Sequence, residues 1–128
     1  MRLLLDTHAL LWWLAGDAAL PAASRKAIAS ARNDIHVSAA SAWEIATKSR
    51  LGKLAEAAPV AAGIETLIAD QGFVPLAITL RHGQAAGALP GPHRDPFDRM
   101  LIAQAMIEDL VLVSNERQFD TYGVKRLW

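Results

Sequence analysis

The chain has 128 residues, carries 13 Lys and Arg against 13 Asp and Glu, and contains no cysteine. A chain of this length buries enough apolar surface to form one domain without covalent cross-links, and the lack of cysteine excludes disulfide scaffolds and zinc-thiolate sites. Because the formal charge is zero, no global attraction draws the protein to nucleic acid. Phosphate binding must therefore depend on local basic groups or on a bound metal.

The absence of cysteine also favours a reducing compartment. Only Arg2 and the initial Met precede the first apolar run, so no secretory signal is evident. No apolar stretch reaches the ~18 residues that a membrane-spanning helix needs. We therefore expect a cytoplasmic protein that has no membrane partner.

Five apolar runs of strand length are separated by helical sequence, a pattern that predicts an α/β fold with a central parallel sheet of about five strands flanked by helices. In chain order, the sequence predicts strand 3–5, helices 8–15 and 22–31, strand 35–37, helices 39–50 and 59–71, strand 73–76, helices 79–86 and 96–109, and strands 111–113 and 124–127. The only long irregular stretch is 87–95, which is rich in Gly and Pro. Loops of this kind inside a compact domain are often functional.

Polar residues follow two of the buried strands. Asp6 comes directly after the first strand, and Ser114, Asn115 and Glu116 follow the fourth. The carboxyl ends of parallel strands are where open α/β sheets bind their ligands. Asp6 also fits the N-cap of the next helix, and the residues after the fourth strand are ordinary turn formers. Both interpretations are open at this point.

Two further acids lie early in predicted helices. Glu44 stands three residues after Ser41, which is the spacing of a capping box. If Ser38 caps the helix instead, Glu44 lies one turn deeper in an apolar segment and needs a partner. Asp98 follows Asp95 by three residues with a proline between them, so Asp95 as N-cap and Asp98 in the first turn also explain this pattern structurally.

The four acids gain meaning together, because strand ends and helix starts on one edge of a parallel sheet converge. Carboxylates that are gathered closely repel one another unless some take up protons or a hard cation lies among them. Oxygen ligands without cysteine suit Mg²⁺ or Mn²⁺, and such an ion supports the cleavage of phosphodiesters. No GxxxxGK[ST] phosphate loop is present, which argues against nucleotide hydrolysis.

Four segments together resemble the PIN-domain ribonucleases of the VapC type, the toxins of bacterial and archaeal toxin-antitoxin pairs. These segments are LLLDTHALLWWL (3–14), VSAASAWEIATKSRLGKL (37–54), HRDPFDRMLIAQA (93–105) and LVSNERQFDTYGV (112–124). The resemblance covers essentially the whole chain and implies a single PIN domain over residues 1–128 with a PIN-like fold. It implies a Mg²⁺- or Mn²⁺-dependent endoribonuclease, a homodimer, and a cognate antitoxin that lies over the active-site groove.

By position, the resemblance implies that Asp6, Glu44 and Asp98 form the acidic metal site and that Glu116 is its fourth acid. The family usually has Asp where this chain has Glu116. The alternative to an active nuclease is therefore a catalytically weak PIN scaffold that binds RNA or a protein partner without cleavage. Two second-rank residues are Asp95, which would brace the loop, and Ser114, which would hold a water of the metal.

Contact with RNA must come from local basic residues. One predicted set, near the end of the third helix, is Lys48, Arg50 and Lys53. The other set, which flanks the loop rich in Gly and Pro, is His93, Arg94 and Arg99. The first set also fits cations that complement a helix dipole. His8 and His93 are candidate acids or bases. Helix 8–15 is apolar nearly all round, so Trp12 and Trp13 belong either to the core or to a surface that meets another chain.

Overall fold

The structure is a computed structural model that describes all residues 1–128. Its strands are β1 (Arg2–Leu5), β2 (Asp34–Ser38), β3 (Val74–Leu76), β4 (Val111–Val113) and β5 (Arg126–Leu127). Its helices are α1 (Thr7–Ala15), α2 (Ala22–Ala29), α3 (Ala39–Arg50), α4 (Ala58–Ala61), α5 (Ile64–Asp70), α6 (Leu80–Ala88) and α7 (Pro96–Glu108), with 3-10 helices at Ala55–Ala57 and Arg117–Tyr122. None of the helices has the length and apolar content that a membrane span requires.

The five strands form one parallel sheet in the order β3-β2-β1-β4-β5, which confirms the predicted α/β class. The chain builds outward from β1 to β3 and then returns to add β4 on the other side of β1. The strand order therefore reverses between β1 and β4, and ligands of open α/β sheets bind beside such a reversal. The amide of Asp6 donates to the carbonyl oxygen of Val113 (3.1 Å), so the pairing continues just past the end of β1.

The three leucines of β1 are buried on both faces of the sheet. Leu3 and Leu5 belong to the larger core cluster, which includes Leu10 of α1, whereas Leu4 belongs to a second cluster with Leu101 of α7. This division follows from the alternation of side chains along a strand. It explains why the strand has an uninterrupted apolar sequence rather than an alternating one.

Several predicted boundaries are wrong. The predicted helix 59–71 is divided at Gly63, whose backbone (φ −141°, ψ 31°) is not helical, so α4 ends and α5 begins there. A glycine inside a helix loses much conformational entropy, which favours a break at this position. The final strand is shorter than the predicted 124–127. The 3-10 helix at Arg117–Tyr122, which Glu116 caps, has no counterpart in the prediction.

Candidate active site

Asp6 is both a helix cap and a buried acid. Its Oδ1 accepts a hydrogen bond from the Ala9 amide (2.7 Å) at the start of α1, and only 7% of the residue is exposed. Burial raises the pKa of the Asp6 carboxyl, although hydrogen bonds from Ser114 and the Ala9 amide oppose this shift; the nearby Glu44 raises it further. Asp6 is therefore the N-cap of α1 and also a buried acid at the carboxyl end of β1.

Glu44 owes its position to the start of α3. The Ser38 hydroxyl accepts from the Ala40 amide (3.0 Å) and caps the helix, so the capping-box interpretation with Ser41 is wrong and Glu44 lies one turn deeper. Glu44 is buried and has two partners. The Thr7 hydroxyl donates to its Oε1 (2.5 Å), and Lys48 Nζ donates to its Oε2 (2.5 Å).

Asp98 lies in the first turn of α7, where Asp95 is the N-cap. The Asp95 Oδ1 accepts from the amides of Phe97 (2.9 Å) and Asp98 (3.1 Å). Burial raises the pKa of the Asp98 carboxyl to about 6, with Asp95 and Glu44 adding to the shift and His93 opposing it. Asp95 therefore caps the start of α7, so the Asp98 side chain is not needed as the cap.

The loop 89–95 holds His93 against Asp98. His93 Nε2 lies 2.8 Å from Asp98 Oδ2, and the other ring nitrogen lies 2.7 Å from Gln118 Oε1. Burial lowers the pKa of the imidazole, but the hydrogen bond and charge of Asp98 outweigh it, so the net pKa of His93 is raised. The Tyr122 hydroxyl accepts from the His93 amide (3.2 Å), and it lies so near Gly91 (φ +96°) that a Cβ there would come within 2.9 Å of it.

Glu116 enters the site from the end of β4. Ser114 is fully buried, and its hydroxyl accepts from the Glu116 amide (3.0 Å). The Glu116 carboxylate is half-buried and accepts a long hydrogen bond from the Gln118 amide (3.5 Å). Glu116 is therefore held less tightly than Asp6 or Glu44.

All four acids line one polar cavity of about 220 Å³ beside the strand reversal. No apolar side chain lines it; the lining residues are Asp6, Thr7, His8, Glu44, Lys48, Asp95, Asp98, Asn115 and Glu116. No three acidic or histidine side chains are arranged as ligands of one ion. Two of the acids have other partners, because Lys48 lies on Glu44 and His93 lies on Asp98. A larger cavity of about 480 Å³ is mainly apolar and has Glu65 as its one charged lining residue, so it does not share this chemistry.

The basic residues predicted to contact RNA have different environments. Lys48 lines the cavity, whereas Arg50, Lys53 and Arg94 are exposed and lie outside its lining. Arg99 donates to the carbonyl oxygens of Ala86 (3.1 Å) and His93 (3.0 Å) and to that of Leu89, so its guanidinium fastens the loop 89–95. Within this loop, Arg94 is the exposed cation.

Sequence reasoning did not assign Thr7 or Asn115 to the site, although both line the cavity. The available signal was their position, since Thr7 follows Asp6 and Asn115 precedes Glu116 at two adjacent strand ends. The contact between Thr7 and Glu44 joins residues that are 37 positions apart, so no local sequence pattern predicts it.

Solved structures share this fold. A chain in the crystal structure of VapBC2 from Rickettsia felis, bound to a DNA fragment from their promoter, has a TM-score of 0.72 at 14% identity, over 99% of this chain and 98% of that one. A chain of VapBC-1 from nontypeable Haemophilus influenzae has a TM-score of 0.65 at 14% identity, over 99% and 97% of the two chains. No curated protein matches the sequence at a significant level. The family model of the PIN domain matches residues 3–125, and the chain therefore belongs to the PIN domain family.

Proposed function

We propose that this protein is a metal-dependent endoribonuclease that hydrolyses phosphodiester bonds of RNA. The observation that carries the proposal is that Asp6, Glu44, Asp98 and Glu116 all line one cavity without apolar walls. Membership of the PIN domain family supports a nuclease. The position of the cavity beside the reversal of strand order supports a ligand site there.

The types of donor in the cavity suit a hard divalent cation. Carboxylate, hydroxyl and amide oxygens line the cavity, and the chain has no thiolate to favour a softer metal. Asp6, Glu44 and Asp98 would hold Mg²⁺ or Mn²⁺, with Glu116 as a fourth acid that acts directly or through water. When bound, the ion supplies Lewis-acid activation of water and neutralises charge on the phosphodiester.

The neighbouring side chains position these acids. Thr7 orients Glu44 through one carboxylate oxygen, while His93 orients Asp98. Asp95 braces the start of α7, and Ser114 holds the turn that carries Glu116. In this proposal His93 is a positioning residue, and the exposed His8 is the candidate for proton transfer at the cavity mouth.

Incubation of the purified protein with single-stranded RNA tests the proposal. We expect cleavage with Mg²⁺ or Mn²⁺ and none when a chelator is present, as read from the products on a denaturing gel. The replacement of the family's usual Asp by Glu116 motivates the competing candidate, a scaffold that binds RNA or a protein without cutting. RNA that is bound but stays intact at every metal concentration would favour the scaffold over the nuclease.

The exposed Arg94 provides a separate prediction about RNA contact. We expect Arg94→Ala to weaken RNA binding and to reduce the slope of log affinity against log salt by about one, because one phosphate contact is lost. Fluorescence anisotropy titrations at several salt concentrations measure this slope. Arg32→Ala is the matched control, since Arg32 is exposed near the start of β2 on the opposite edge of the sheet. Equal slopes for the wild type and Arg94→Ala would remove Arg94 from the binding surface.

We further propose that the protein acts in the cytoplasm as the toxin of a toxin-antitoxin pair and forms a homodimer. The support is its likeness in fold to chains of two VapBC structures. Trp12 and Trp13 are half-buried, with Trp12 against Trp128 (ring centroids 5.8 Å apart) and Trp13 against Phe73 (6.4 Å). Both therefore serve the fold in part and leave some apolar surface for a partner chain.

A further inference from the structure

Trp43 differs from the other tryptophans of the chain in its exposure. It lies on α3 with 60% of its surface exposed, whereas Trp12, Trp13 and Trp128 are half-buried against the core. Its ring packs edge to face against Phe97 at the start of α7, with the centroids 4.7 Å apart and the planes at 77°. Neither Trp43 nor Phe97 belongs to either core cluster, so the core does not account for this pair.

The aromatic pair stands beside the acidic cavity. Trp43 immediately precedes Glu44, and Phe97 immediately precedes Asp98, and both of these acids line the cavity. The pair thus joins the two helices that carry half of the acidic set. More than half of the Trp43 surface therefore contacts water, next in sequence to an acid that lines the cavity.

We infer that Trp43, supported by Phe97, is a stacking platform for an unpaired base of single-stranded RNA, at the nucleotide next to the phosphate that enters the cavity. The inference rests on the proposed ribonuclease function and names how its substrate is held. Aromatic side chains stack unstacked bases in proteins that bind single strands, and such stacking tolerates any base. Two basic residues, Lys48 in the cavity and the exposed Arg94 three residues before Phe97 in sequence, are complementary in charge to the phosphates of such a strand.

The test compares side chains that carry an aromatic ring with a smaller apolar side chain that has none. Variants Trp43→Leu and Trp43→Phe are made in an Asp98→Asn background, so that cleavage does not interfere, and a fluorescein-labelled single-stranded RNA of mixed sequence is titrated by anisotropy with Mg²⁺ present. Trp43→Leu is expected to weaken binding roughly 5- to 150-fold, the range of one lost base stack. Trp43→Phe retains most of the affinity, and the salt slope is the same in both variants because no phosphate contact is lost.

Leu80→Ala is the control, since Leu80 is 95% exposed and does not line the cavity. Its RNA affinity should equal that of the Asp98→Asn background. Equal affinities for Trp43→Leu and that background would overturn the platform, and so would an equal loss in Leu80→Ala. Weakened binding of a protein partner by Trp43→Leu with unchanged RNA binding would assign the pair to a protein interface and overturn the inference as well.

Failure of the inference is distinguishable from failure of the proposed function. If the wild-type protein cuts RNA in the presence of metal while Trp43→Leu binds as tightly as its background, only the platform is rejected. If the wild-type protein neither binds nor cuts RNA, both are rejected. Thermal melts of each variant establish that the fold is retained, as the exposure of Trp43 leads us to expect.

Discussion

Asp98→Asn is expected to lower metal-dependent RNA cleavage by more than about 100-fold, since loss of even an indirect partner of a metal commonly costs about 10–100-fold. The substitution nearly preserves the shape of the side chain and removes its charge. Asp98 has no role in capping α7, because Asp95 provides that cap, so the helix should be unaffected. Asp6→Asn should lower cleavage to a similar extent. Because Asn also serves as an N-cap, this loss should come without damage to α1. Initial rates with labelled RNA at saturating Mn²⁺ measure the loss.

Asp109→Asn is the matched control for this substitution. Asp109 is exposed and ends α7 in the left-handed conformation (φ 54°), which Asn also adopts readily. Its ion pair with Lys125 (3.6 Å) is at the surface, where such pairs contribute little. Full cleavage activity in both Asp98→Asn and Asp6→Asn would exclude these two acids from the reaction.

The fold was predictable because its determinants are local and repetitive. An uninterrupted apolar run such as Leu3–Leu5 indicates a strand that is buried on both faces. Helical sequence between such runs favours a parallel sheet, because each helix returns the chain to the start of the next strand. The errors lie where single residues decide the outcome. Gly63 divides one predicted helix, and the short β5 pairs with β4 through two residues. A periodic pattern does not resolve effects of this size.

The gathering of the acids was predictable from topology, but their partners were not. Because Asp6 and the Ser114–Glu116 turn follow adjacent strands, the sheet edge alone brings them together. The bonds of Glu44 to Thr7 and of Asp98 to His93 depend on how helices are seated on the sheet, which spacing along the chain does not encode. The sequence also assigned Arg99 to RNA, whereas its donors are directed to backbone carbonyls of a loop.

These partners lower the electrostatic cost of gathering four acids. Lys48 lies on Glu44, and His93 hydrogen-bonds Asp98, so both reduce the repulsion among the four carboxylates. Asp6 has no cationic partner of this kind, and burial raises its pKa. A site in which the folded state disfavours its own charges stores unfavourable electrostatic energy that a divalent cation relieves. Stability and metal binding should therefore be coupled.

Binding of Mn²⁺ is accordingly expected to raise the melting temperature. A ligand present at 100 times its Kd adds about 2.7 kcal/mol to the free energy of unfolding, provided that it does not bind the unfolded chain. For a domain of this size, this corresponds to a rise of roughly 10 °C. Differential scanning fluorimetry of the wild-type protein across a Mn²⁺ series, with a chelator-treated sample as the baseline, measures the shift.

Asp98→Asn separates the two sides of this coupling. In the absence of metal it should melt above the wild type, because the burial that raises the pKa of Asp98 to about 6 makes its charged form unfavourable near neutral pH. The loss of the bond from His93 opposes this gain, so the expected increase is smaller than the shift caused by Mn²⁺ in the wild type. Adding Mn²⁺ to Asp98→Asn should then have little effect, whereas Asp109→Asn should respond as the wild type does. If Mn²⁺ does not change the melting temperature of the wild type at any concentration, these carboxylates are stabilised by Lys48 and His93 alone and do not form a metal site.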